Sequence, residues 1–351
     1  MPPPIRLLSL RHVATTATTA TIRSRQSEKS NVFAAIDMGS SSTKMLIVKQ
    51  TATGKWRTVL DVKEGTRLGK DIGADRVLPK ENQERALTAL TQFIVQAQKH
   101  GVPAKEIGFI TTAVMRNTVN GATFAAQIEK TLGLKPRILT GREEAQLGYL
   151  GAIRPFRHDG SPARFASLDL GGGSFQLAIG TEAHMQRGAS TQVGSNHVLE
   201  AYFPHERIDA AGFKRADEAL KKIAPMPMPA QALANRQLVA TGGISKFLRT
   251  HFGKDEISRA EIDGLRRKVG ALSYGQRVAV VTEGKSATEK RALGIDTPKG
   301  AKDYGIKLPA SATLLLRILD GLHVDKVRVS ETDARHALIE QRQAQATRSQ
   351  L

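Results

Sequence analysis

Two short strings in this chain carry the residue types that anion chemistry needs. IDMGSSSTKMLIV spans residues 36–48 and LDLGGGSFQLAIG spans 168–180. Superposed on their aspartates, they match Asp37 with Asp169, Gly39 with Gly171, Ser42 with Ser174 and Lys44 with Gln176, 132 residues apart. In each, an acid ends an apolar run and a Gly/Ser turn leads into the next. Such turns let backbone N–H groups converge on phosphate oxygens, and serine hydroxyls add donors. Ser40, Ser41, Ser42, Gly171, Gly172, Gly173 and Ser174 are therefore candidate phosphate ligands. Asp37 and Asp169 are candidates to hold Mg²⁺ through water, the usual way this ion is kept near phosphates. One string alone would read as an ordinary tight hairpin. Two at matching points favour a ligand held between two similar domains.

TGREEAQLGYLGA adds a pair of acids that helix geometry separates. Thr140 and Glu143 have the S/T-x-x-E spacing of a capping box, which commits Glu143 to the helix start. Glu144 points elsewhere, and a carboxylate there can take a proton from attacking water; the plainer role is a solvated acid favoured by the helix dipole. Arg116, in ITTAVMRN, follows a strand end and has the fork that matches phosphate, although a surface arginine is the simpler reading. Gly242 and Gly243, in ATGGISKFL, allow close approach to a helix N-terminus. The Gly-Lys-Ser of VTEGKSATEK is not a P-loop, because the first glycine of that motif would fall on Ala279. A loop is expected there, with Ser286 and Glu289 capping a helix.

These residues need elements to hold them. NVFAAID, STKMLIVKQ and KWRTVLDVKE read as three strands, followed by a helix over 81–100, a strand at IGFITTAV, a helix over 121–132, a short strand at PRIL and a helix from about Gly141. That order is ribonuclease H-like. It partly repeats after the Pro/Gly-rich linker RPFRHDGSPAR, with strands at ARFASLDL, SFQLAIG and EAHMQRG, a helix over 209–223, a strand at QLVATGG, a helix over 244–250, a helix over 310–322 and a last strand at KVRVS. The stretch before Leu308 gives no clear pattern. The expected architecture is α/β, with two ribonuclease H-like domains, 31–153 and 164–340, facing each other across a cleft, and a tail at 341–351.

The chain of 351 residues has 40% hydrophobic and 24% charged residues, ordinary for a globular protein. It lacks cysteine, so disulfides, thiolate nucleophiles and Cys-ligated metals are excluded. The formal charge is +19, and residues 1–30 carry only five Lys/Arg and one Glu of it, leaving +15 on the rest. A cationic surface attracts polyanions. With 5% aromatic residues and no recognisable docking motif, specific nucleic-acid binding is not expected, and a polyanionic small substrate fits better. Residues 1–30 are Arg-, Thr- and Ser-rich, with no acid before Glu28, the composition of an organellar transit peptide. A mitochondrial or other organellar matrix location is expected, with the cytoplasm otherwise. No apolar run has the length to span a membrane, and a homodimer is compatible with the sequence.

Together the motifs resemble the exopolyphosphatase and guanosine pentaphosphate phosphohydrolase family, of the sugar kinase, chaperone and actin superfamily. The resemblance runs from about Val32 to Ile339, through AAIDMGSSSTKMLIV, KEGTRLG, TTAVMRNTVNGATF, ILTGREEAQLGYLGA, SLDLGGGSFQLAIG, VATGGISKF and VRVSETDARHALI. It implies removal of a terminal phosphate from polyphosphate or guanosine pentaphosphate by Mg²⁺-assisted water attack, with Glu144 as catalytic base beside Asp169. Three positions depart from the family pattern: Gln176 replaces a second catalytic Glu, Ser41 replaces an Asn, and Glu331-Thr332 replaces Asp-Gly. Gln176 keeps alive the alternative of a catalytically weak polyphosphate- or nucleotide-binding protein. A kinase of the same superfamily is a third option, for which no sugar- or acid-binding constellation is recognisable.

Overall fold

The computed structural model describes residues 31–157, 164–203 and 205–348. The expected transit peptide and most of the linker lie outside the described residues.

The first half opens with three antiparallel strands, β1 (Val32–Met38), β2 (Thr43–Gln50) and β3 (Trp56–Glu64). They are followed by α1 (Lys80–Lys99), β4 (Gly108–Thr111), a single turn α2 (Ala113–Arg116), α3 (Gly121–Leu132), β5 (Arg137–Ile138) and α4 (Gly141–Ile153). The second half contains β6 (Arg164–Leu170), β7 (Phe175–Thr181), β8 (Met185–Thr191), α5 (Ser195–Tyr202), α6 (Ala210–Ile223), β9 (Gln237–Gly242) and α7 (Gly243–Phe252). It continues with β10 (Glu256–Ser258), α8 (Arg259–Gly270), α9 (Tyr274–Thr282), α10 (Ala287–Leu293), α11 (Pro298–Leu322), β11 (Lys326–Val329) and α12 (Ala334–Arg348).

The sheets are ordered β3-β2-β1-β4-β5 and β10-β11-β9-β6-β7-β8. Without the edge strand β10, both have the same plan: three antiparallel strands, then two parallel ones beside the first. This is the ribonuclease H-like arrangement, used twice.

Several elements differ from the sequence pattern. The strand at ITTAV stops at Thr111, and Ala113–Arg116 turns into a helix. The unreadable basic stretch is three helices, α8 to α10, and the start of α11, which begins at Pro298, twelve residues earlier than its apolar run suggests. Pro298 at the first helical position and the Thr297 side chain accepting from Gly300 N–H explain that start.

Two helices pack across the expected domain boundary. On α4, Tyr149, Ala152 and Ile153 join Phe165, Ala178, Met185 and Val239 of the second sheet in one core cluster. On α12, Ala337, Leu338 and Ile339 join Ala35, Leu46, Val48 and Ile110 of the first. Arg154 and Arg157 fasten the crossing, both donating to Glu340, at 2.7 and 2.6 Å.

Candidate functional site

The two duplicated strings are superimposable hairpins. The register sets Asp37 opposite Lys44 and Asp169 opposite Gln176. Each turn is closed by one bond, Gly39 N–H to Ser42 O at 3.0 Å and Gly171 N–H to Ser174 O at 2.9 Å. The backbone N–H groups of Ser40, Ser41, Gly172 and Gly173 donate to nothing among the described residues. Each turn is braced from behind by its carbonyls. Ser40 O and Ser41 O accept from Gly69 and Arg67 of the TRLG loop, while Gly171 O and Gly172 O accept from Ser195 and Asn196 at the start of α5. The pattern leaves the donors, not the acceptors, open.

Asp37 and Asp169 end the central strands of their sheets. Burial raises the proton affinity of both; Lys44 opposes this, and Asp333 adds to it. The charge of Asp37 also raises Asp169. Neither accepts a hydrogen bond or ion pair among the described residues. Gly242, at φ 101°, permits this closeness: a Cβ there would stand 2.7 Å from Leu170 O and 3.3 Å from Asp169 Oδ1. Gly243 then starts α7.

Glu143 closes the capping box with Thr140, as expected, and Glu144 is released from it. Glu144 is half-buried with Arg116 Nη1 3.6 Å from its Oε2. Burial raises its proton affinity, Arg116 lowers it, and the charges of Asp37 and Asp169 raise it, with a net upward shift. The same Arg116 nitrogen donates to Leu139 O. Arg116, Glu144 and the charges of Asp37 and Asp169 thus act on one another, and Gly242 packs against Asp169.

A group of charged residues beside them was not foreseen. Arg335 is buried at the start of α12, where its Nη2 bonds Asp333 at 2.6 Å and its Nη1 bonds Asp61 of β3 at 2.6 Å. Lys246 of α7 donates to the other oxygen of Asp61 at 2.7 Å. Burial pushes Asp61 and Asp333 upward, but the neighbouring cations overcome it and hold both low. The string SETDARHAL places Asp333 and Arg335 two apart; its only sequence signal was membership in a recognised motif.

The family model of the Ppx/GppA phosphatases matches residues 46–343. The chain belongs to the Ppx/GppA phosphatase family. Among solved structures, this Ppx/GppA chain is similar to the type II variant of the Aquifex aeolicus Ppx/GppA phosphatase, with 17% identity and a TM-score of 0.68 over 88% of this chain and 97% of that one. An exopolyphosphatase from Cytophaga hutchinsonii gives 18% identity and a TM-score of 0.66 over 87% and 96%. At such identities the likeness is one of fold. No helix among the described residues of this Ppx/GppA protein is long and apolar enough to cross a membrane.

Proposed function

We propose that this protein is a phosphohydrolase acting on phosphoanhydrides, with linear polyphosphate ahead of guanosine pentaphosphate as substrate. The observation that carries the reading is the pair of open N–H turns beside two unpartnered carboxylates. Two turns with two open backbone donors each suit a phosphate, and the +15 of the chain beyond residue 30 suits a long polyanion.

The terminal phosphoryl group rests on the N–H groups of Ser40, Ser41, Gly172 and Gly173, with the Ser42 and Ser174 hydroxyls and the Arg116 fork as further donors. Glu144 accepts a proton from the attacking water as the new P–O bond forms. The bond to the bridging oxygen breaks, and the shortened chain leaves with the electron pair. An elevated proton affinity suits Glu144 to this step, because a base works best when its pKa approaches the working pH.

Asp37 and Asp169 fit Mg²⁺. Two carboxylates, solvent-reachable and without protein partners, match an ion that takes one or two such ligands and keeps waters and phosphates for the rest. Among the described residues no group of three acids or histidines forms an all-protein metal cage, which is consistent with that mode. Bound there, Mg²⁺ would neutralise charge on the phosphates.

A second reading, a polyphosphate binder with little turnover, is favoured by one observation: Gln176 is neutral and turned onto Ser174. Release of inorganic phosphate from polyphosphate, guanosine pentaphosphate and ATP, with and without Mg²⁺, separates the readings. Binding of polyphosphate without phosphate release would replace the hydrolase by the binder.

A further inference from the structure

The row of side chains that begins at Asp37 does not stop at Lys44. The register places Lys44 opposite Lys63 of β3, so Asp37, Lys44 and Lys63 form one line across the same face of the first sheet. Neighbouring strands lie about 4.8 Å apart, so the line runs roughly 10 Å from the aspartate. It ends at solvent, because β3 is the edge strand and Lys63 is exposed. The matching line of the second sheet is Asp169, Gln176 and Ser190, with no cation. The duplication is symmetrical in backbone and one-sided in charge.

The surroundings of Lys63 sharpen the point. The loop after α10 leans over it, since a Cβ on Gly294 would stand 3.4 Å from Lys63 Cδ. Although its side chain reaches solvent, the protein packed around its ammonium group, and then Lys44, Lys307, Lys246 and Arg335, depress its proton affinity to about 8. Two of these cations are already neutralised, Lys246 and Arg335 by Asp61 and Asp333 together. The other three, Lys44, Lys63 and Lys307 of α11, form no hydrogen bond or ion pair among the described residues. The ammonium groups of Lys44, Lys63 and Lys307 repel at Lys63, and of the three Lys44 has carboxylate charges acting on it, those of Asp37 and Asp169. An anion lying among them removes that repulsion.

We propose that Lys44, Lys63 and Lys307 hold the phosphates that follow the reacting one, and lead a linear polyphosphate out of the cleft over β3. The inference rests on the phosphoanhydride reading above and deepens it. It makes Lys63 a specificity-determining residue: the protein distinguishes substrates by the charge they carry beyond the reacting group.

The test compares the parent with Lys63→Met and Lys307→Met on tripolyphosphate and on long-chain polyphosphate. Phosphate release gives kcat and KM, and equilibrium binding in a Glu144→Gln background gives Kd independently of turnover. For Lys63→Met the expected result is a rise of about tenfold in KM and Kd for the long chain and less than about twofold for tripolyphosphate, with the loss falling on KM. Long-chain binding should also become less salt-dependent, and Lys63→Arg should restore it. Unaltered long-chain binding, or an equal loss on both chain lengths, overturns the proposal. If the parent binds polyphosphate without releasing phosphate, the hydrolase reading fails while the binding comparison still decides for or against Lys63. If the parent binds none, both fail.

Discussion

Gln176 stands directly opposite Asp169 in the β6–β7 ladder, and its Nε2 donates to Ser174 Oγ at 3.0 Å. An amide at this point occupies a lone pair of a candidate phosphate-binding hydroxyl, leaves its O–H free to donate, and brings no charge. Gln176→Glu adds a carboxylate beside Asp169 and makes Ser174 the donor. In an attenuated enzyme this should raise Mg²⁺-dependent phosphate release; in a binder it should weaken polyanion affinity by repulsion without creating turnover. Phosphate release and polyphosphate binding, measured together for this variant, distinguish the two.

Glu144→Ala should lower turnover by about 10²- to 10⁴-fold, the usual worth of a positioned base, while polyphosphate binding is retained. The pH dependence has a definite sign. Burial raises Glu144 and Arg116 opposes it, and a base is lost when protonated. Activity should therefore fall with acid through a value above the ordinary glutamate range. Arg116→Ala removes the opposing cation, and its acid limb should lie at higher pH than that of the parent. A kcat/KM profile for both proteins checks this, and coincident limbs would reject the assignment.

The Asp61–Arg335–Asp333 network should matter for stability more than a surface pair does. Arg335→Met leaves two enclosed carboxylates without their shared cation, a loss of about 3–5 kcal/mol by comparison with other broken buried pairs. Both aspartates titrate below their unfolded values. Their contribution is thus complete above the unfolded value of about 3.9 and disappears as the pH falls through the lower folded ones. Denaturant unfolding should show the largest gap between parent and variant at neutral pH, narrowing below about pH 4.

Gly151 sits where α4 meets the start of α12, and a Cβ there would overlap the backbone of Asp333. Thr332 Oγ1 also donates to Gly151 O, at 2.6 Å. Gly151→Ala should destabilise by about 1–3 kcal/mol through overpacking, despite alanine's better helix propensity. A Gly148→Ala control, at a helical glycine with open space around it, should be neutral or stabilising. Thermal unfolding of the two variants measures the contrast.

Strand alternation and turn residues made both halves legible before any coordinates, because Asp37 and Asp169 sit on strands whose apolar runs are bounded by glycine and serine. The capping box at Thr140 was readable for the same reason: it is a local rule. The charged group was not. Asp61 and Arg335 are 274 residues apart in the chain and bond directly, and nothing in KWRTVLDVKE marks Asp61 as enclosed. Lys63 likewise looks like an ordinary surface lysine until strand register sets it beside Lys44. The start of α11 was hidden because its buried face there is built from Ala301, Tyr304 and Gly305 before Leu308, small or amphipathic residues set among lysines that give periodicity little apolar contrast to detect.

The exchange of α4 and α12 between the sheets makes each half the other's missing wall. A gene cut within the linker would yield two fragments, each still carrying the helix that its counterpart needs. Neither piece would close its own interior alone; α4 would leave with the first fragment and α12 with the second. The two halves should therefore fold jointly, and mixing the two fragments should restore what either lacks.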